Sequence, residues 1–118
     1  MEVVLFDREL EVMEVLWERG SATVAEVRVA LPDEMARTTV LTVLRILERK
    51  GYVSHAKAGR AFVYAARVPR VQARRRALAH LRSRLFGGST ASLVQHLLTD
   101  ERLAADELDA LKRLIEDV

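Results

Sequence analysis

The spacing of hydrophobic positions changes twice along this chain, and the changes divide it into helices, a hairpin and helices again. From Asp7 to about Arg19, Leu10, Val12, Met13, Leu16 and Trp17 recur at helical spacing, with Asp7 placed to cap the start and Gly20 to end it. Trp17 stands at the end of that stripe and reads as a core anchor. Thr23-Val24-Ala25-Glu26 is a capping box, in which hydroxyl and carboxylate each satisfy a backbone donor of the first helical turn. It opens a short helix with Val24, Val27 and Leu31 inward, ended near Pro32-Asp33. A third helix of about four turns runs from Ala36 or Arg37 to Gly51. At about 100° per residue, Val40, Val43, Leu44 and Leu47 fall on one side of it, and Thr38, Thr42, Arg45 and Arg49 on the other. Ala36 has no side-chain oxygen to cap with, so this start is marked only by the Pro-containing break before it.

After Gly51 the pattern turns from helical to alternating. Tyr52–Ala56 and Ala61–Ala65 are short, β-branched and aromatic, joined by Lys57-Ala58-Gly59-Arg60. Three helices, the third basic, followed by a hairpin with a basic tip make a winged helix-turn-helix, whose third helix enters the major groove while the wing follows the backbone. Pro69 closes this module. A helix is predicted over Val71–Phe86, with Arg74, Arg75 and Arg76 near its start and Leu78, Leu81 and Leu85 on its apolar side. Gly87-Gly88 breaks it, and Ser89 caps another helix with Leu93, Val94, Leu97 and Leu98 apolar. Asp100-Glu101 precede a last helix carrying Leu103, Leu108, Leu111, Leu114 and Ile115. These helices are too short to bury their leucines against one another, so a second copy is expected to cover them; packing back on the first domain is the other solution. The fold class is mostly α with a small β-hairpin wing: a winged helix over 1–68 and a helical dimerisation region over 69–118.

Composition narrows the function. Of 118 residues, half are hydrophobic and 31% charged, which suits a folded chain. No apolar run reaches the length of a membrane span and the first residues form no secretory signal, so a cytoplasmic location is the simplest expectation. The absence of cysteine excludes disulfides, thiolate metal sites and cysteine catalysis. His55, His80 and His96 share no close ligand spacing, no nucleophile has a histidine or glycine-elbow context, and Gly87-Gly88 lacks the lysine and strand of a phosphate loop. Neither a metal nor a cofactor nor an enzyme is implied. His55, in the wing, is placed to touch a phosphate.

The net charge of +2 conceals its distribution. Residues 1–34 hold three Lys/Arg against nine Asp/Glu, residues 35–85 thirteen against one, and residues 86–118 three against seven. A central block of +12 is the footprint expected of a protein with a polyanionic partner. Threonine hydroxyls contact base edges and phosphates, and arginine pairs with guanine or phosphate. Arg37, Thr38, Thr39, Thr42 and Arg45 are therefore expected to face the groove, and Arg49, Lys57 and Arg60 mainly to hold phosphates.

Motifs in this order resemble a known family. They are Glu9-x3-Met13-x2-Leu16-Trp17-x2-Gly20, Thr23-Val24-x-Glu26-Val27, Thr38-Thr39-Val40-x-Thr42-x-Leu44-x2-Leu47-x2-Lys50-Gly51, Gly59-Arg60-x3-Tyr64, Phe86-x-Gly88-Ser89, Leu93-Val94-x2-Leu97-Leu98 and Glu107-Leu108-x2-Leu111. Together they span nearly the whole chain and are similar to the penicillinase and methicillin-resistance repressors, the BlaI/MecI/CopY type. The resemblance implies a homodimeric repressor that reads a palindromic operator on double-stranded DNA and dimerises through its C-terminal helices. Leu78, Leu81, Leu85, Leu93, Leu97, Leu108, Leu111 and Leu114 are the candidates for that interface. In the β-lactamase branch a membrane sensor with a zinc-protease domain triggers cleavage in the C-terminal region. His96-Leu97 stands where those repressors carry Asn-Phe. The copper-responsive branch uses a cysteine-rich C-terminal motif that this chain lacks. Two other functions suit a basic winged helix: a protein-interaction adaptor and a nonspecific DNA binder.

Overall fold

The computed structural model describes residues 5–100 and 102–118. Among them the order is α1 (Asp7–Arg19), β1 (Ser21–Thr23), α2 (Val24–Ala30), α3 (Arg37–Arg49), β2 (Val53–Ala58), β3 (Ala61–Ala66), α4 (Arg70–Leu85), α5 (Thr90–Asp100) and α6 (Ala105–Glu116). The chain divides into two compact units, one running to His80 and the other Leu81–Val118. That division falls inside α4, whereas the sequence placed a boundary at Pro69. Pro69 ends the β3 connection, and its carbonyl accepts from Ala73 N at 3.0 Å as α4 begins.

The first unit is a winged helix-turn-helix. Val12, Met13, Val15 and Leu16 of α1, Val24 and Val27 of α2, and Val40, Val43, Leu44 and Leu47 of α3 meet in one core with Tyr52, Val53 and Tyr64. Each fully buried aliphatic side chain there contributes about 1.5–3 kcal/mol. The antiparallel sheet has the order β1-β3-β2. Ala22 lies opposite Tyr64 on one side of β3, and His55 lies opposite the same tyrosine on the other. β1 has no counterpart in the sequence reading. Only three residues long, it is defined by its pairing with β3 far along the chain.

Local signals resolved as follows. Asp7 is the first helical residue rather than the cap, because Phe6 N donates to Glu9 Oε1 at 2.8 Å and the carboxylate supplies the capping oxygen from inside the helix. Leu10 is 40% exposed, outside the core that the neighbouring Val12 and Met13 enter. Tyr52 precedes β2 and is fully buried, its N–H donating to Leu47 O at 2.9 Å. The hairpin turn is the two residues Gly59-Arg60, with Gly59 at φ +62°, so Lys57 belongs to β2 and pairs opposite Phe62. Trp17 is partly buried, and its indole N–H donates to Val68 O at 2.9 Å.

The capping box of α2 is closed from both sides: Glu26 N donates to Thr23 Oγ1 at 3.2 Å, and Thr23 N donates to Glu26 Oε1 at 2.9 Å. The Thr23 backbone N–H, then its hydroxyl, hold the Glu26 carboxyl below its ordinary value of 4.5, with Arg19 assisting by charge. A carboxyl lowered in the folded state stabilises it above that ordinary value and ceases to as pH falls through the lowered one. The gap in melting temperature between the wild type and Glu26→Ala is therefore expected to be complete at neutral pH and to close as pH falls below 4.5. A gap constant across that range would mean that the carboxylate charge is idle.

In the second unit Ser89 caps α5, accepting from Ser92 N at 3.0 Å, and Asp106 and Glu107 sit in the first turn of α6. Leu103 precedes α6, whose first helical residue is Ala105, and Glu101 lies outside the described residues. Neither α5 nor α6 contains a buried residue. Among the described residues no helix is long and apolar enough to cross a membrane.

Candidate nucleic-acid interface

The face of α3 opposite its buried stripe carries Thr38, Thr42, Arg45 and Arg49, all exposed. Helical periodicity puts Thr39 on the flank shared with Ile46, and Arg37 on the flank shared with Leu41 and Glu48. The first turn of α3 has neither a carboxylate nor a side-chain cap, so its leading backbone N–H groups are open to an anion. Thr42 Oγ1 donates to Thr38 O at 2.8 Å. Its proton is therefore spent on the helix, leaving Thr42 to offer a methyl group and oxygen lone pairs, whereas among the described residues the Thr38 and Thr39 hydroxyls donate to no acceptor.

Seven of the thirteen cations of the basic block lie on or beside α1, α3 and the wing. Lys50 is 2.9 Å from Glu9, and Arg70 is 2.7 Å from Glu14 and 3.9 Å from Glu18. Among the described residues, Arg37, Arg45, Arg49, Lys57 and Arg60 have no carboxylate partner, and all five are exposed. They are the cations of α3 and the wing. Among the described residues the fold thus pairs Lys50 and Arg70 with carboxylates of α1, and leaves the cations of α3 and the wing, like Arg67, Arg74, Arg75, Arg82 and Arg84, without one. Arg60 is at the hairpin tip and Lys57 three residues before it, on the face shared with Val53, His55, Phe62 and Tyr64.

A match to the family described as penicillinase repressor covers residues 5–117. The chain belongs to the penicillinase repressor family. This family member is 36% identical over 123 residues to a transcriptional regulator BlaI of Mycobacterium tuberculosis, across 97% of this chain and 84% of that protein. It is 29% identical over 113 residues to a penicillinase repressor of Bacillus licheniformis, across 94% of this chain and 88% of that one. A solved structure of Bacillus licheniformis BlaI in monomeric form, in complex with the blaP half-operator, has a TM-score of 0.51 and 35% identity over 58% of this chain and 87% of that one.

Within this repressor-family chain the dimerisation candidates occupy α4, α5 and α6. Leu78, Leu85, Leu97, Leu108 and Leu114 are exposed, while Leu81, Leu93 and Leu111 are partly covered. His96 and Leu97 lie within α5, with His96 Nδ1 3.5 Å from Asp100 Oδ2 and its ring 5.2 Å from that of Phe86. His55 is engaged through one ring nitrogen, its Nδ1 meeting both Glu48 oxygens at 2.8 Å, and the ring stays exposed. The sequence reading also missed Glu9, buried beside Lys50. Its signal was an acid in register with Val12, Met13 and Leu16 of the apolar stripe.

Proposed function

We propose that the protein is a transcriptional repressor that binds an inverted-repeat operator as a homodimer, with α3 of each copy in the major groove and each wing along the flanking backbone. The observation that carries this reading is the set of unpaired cations on α3 and the wing, beside threonine hydroxyls and opposite a packed core. Relatives named as repressors support it, as does the half-operator complex of one of them. Arg37, Thr38, Thr39, Thr42 and Arg45 read the groove; Arg49, Lys57 and Arg60 hold phosphates and set the register. The apolar faces of α5 and α6, with nothing buried in a single chain, support pairing of two copies through the second unit, in the cytoplasm where the operator is. Repression ends when the copies separate. A membrane sensor-protease acting at His96-Leu97 is one route, and it requires α5 to unwind there.

Fluorescence anisotropy on the DNA upstream of its own gene and on scrambled DNA, over a salt series, tests the reading. Operator binding about a thousand-fold tighter than scrambled is expected. Arg45→Ala should cost about 1–3 kcal/mol and relax the preference at one base position. Equal affinities that fall together with salt would instead make it a nonspecific binder, and no DNA binding would leave the adaptor function.

A further inference from the structure

Glu48 is the one carboxylate among residues 35–85. A negative charge on the helix that meets a polyanion needs a reason, and the geometry supplies one. Glu48 lies on the flank of α3 rather than on its Thr38/Arg45 face, and both its oxygens are 2.8 Å from His55 Nδ1 on β2. A carboxylate only accepts, so Nδ1 carries the hydrogen. His55 is gripped from β3 as well: the Tyr64 ring is 5.3 Å away, and the Phe62 ring meets it edge-on at 5.1 Å and 84°.

This contact sits where the wing leaves the core. β2 pairs only with β3, and its residues are exposed from His55 outward. Among the described residues, Glu48–His55 is the only side-chain hydrogen bond between α3 and β2. The charged and titratable groups around it are Arg45 on α3, Lys57 on β2 and Tyr64 on β3. Burial, then the Glu48 charge, raise the Tyr64 hydroxyl above its ordinary value, and Arg45 opposes them. Glu48 and His55 are 35% and 39% exposed, so the pair adds little to stability and its effect is on orientation.

We propose that Glu48 is a positioning residue for DNA recognition: through His55 it fixes the angle of the wing against α3, so that Lys57 and Arg60 reach the backbone while α3 occupies the groove. Glu48 itself makes no DNA contact; its charge is turned inward onto the imidazole. The proposal rests on the DNA-binding reading above.

The test is an anisotropy salt series on operator and scrambled duplexes with the full chain. The proteins are the wild type, Glu48→Ala, Glu48→Gln, Lys57→Ala/Arg60→Ala, and that double variant with Glu48→Ala added. Glu48→Ala is expected to weaken operator binding at least about tenfold and to make the slope of log affinity against log salt shallower by about 2, the share of two phosphate contacts. Glu48→Gln, whose amide oxygen still accepts from Nδ1–H, restores both. In the Lys57→Ala/Arg60→Ala background, Glu48→Ala adds no further loss. Operator binding by Glu48→Ala that is unchanged or tighter, at an unchanged slope, overturns the proposal and leaves a carboxylate that only repels DNA. Weaker binding with an unchanged slope and a lowered melting temperature also overturns it, in favour of a purely structural pair. A wild type with no operator preference defeats the DNA-binding reading itself. That result is distinct from one in which the wild type discriminates and Glu48→Ala discriminates equally well.

Discussion

Leu114→Asp is expected to turn the proposed dimer into a monomer and to lower affinity for a two-half-site operator by about two to four orders of magnitude, leaving affinity for one half-site almost unchanged. Leu114 and Ile115 on α6 are 63% and 68% exposed in a single chain, so an aspartate there costs the isolated chain little. Burying it against a second copy strips the new carboxylate of water with no counter-charge provided. The loss therefore falls on pairing, and binding of the second half-site ceases to be intramolecular. Sedimentation equilibrium reads the first effect, and titrations on full and half operators read the second. A variant that still sediments as a dimer and still binds the full operator tightly would remove α6 from the interface, and Leu108 and Leu111 with it.

The second large effect belongs to a buried pair between α1 and the end of α3. Lys50, which ends α3, and Glu9, in the first turn of α1, are 9% and 6% exposed at their side chains. The ammonium donates to Oε1 at 3.0 Å, and the other oxygen, 2.9 Å away, is held by charge rather than by an aligned hydrogen bond. Glu9 Oε1 also accepts from Phe6 N, and the Phe6 ring lies 5.0 Å from the ammonium. Lys50→Met leaves that carboxylate buried without its cation and is expected to cost about 3–5 kcal/mol in urea unfolding. Glu9→Leu/Lys50→Met, which removes both charges, should recover most of the loss. A single-variant cost below about 1 kcal/mol would show that the pair behaves as a solvated surface contact and does not tie α1 to the end of α3.

What the sequence made legible was whatever depends on neighbours along the chain. The Thr23/Glu26 box spans four residues, and its two hydrogen bonds are both present. The two faces of α3 follow from helical period alone, and Val40, Val43, Leu44 and Leu47 are buried as that period required. Features made by distant residues were not legible. β1 exists because Ser21–Thr23 find β3, and nothing in Ser-Ala-Thr announces a strand. Leu10 fits the stripe of α1, yet whether a stripe position is covered depends on where the rest of the fold ends. Lys57 reads as a loop residue from sequence because a four-residue connection and a two-residue turn look alike until the register is known. Glu48 and His55 are seven residues apart on different elements, and each gave one weak signal: a solitary acid in a basic block, and a histidine in a wing. The sequence places Thr42 toward the groove, and only the geometry shows its hydroxyl proton committed to Thr38 O.

Trp17 is the only tryptophan in the chain. Its indole N–H is bonded to the Val68 carbonyl, and the Arg70 guanidinium lies 5.5 Å from its ring. The chromophore is therefore seated on the short stretch that leads out of β3 into α4. If that stretch lifts away from α1, the indole meets water and its emission moves to the red, even while α3 keeps its ellipticity. The protein carries its own optical gauge of this joint, readable without a label or a substituted residue.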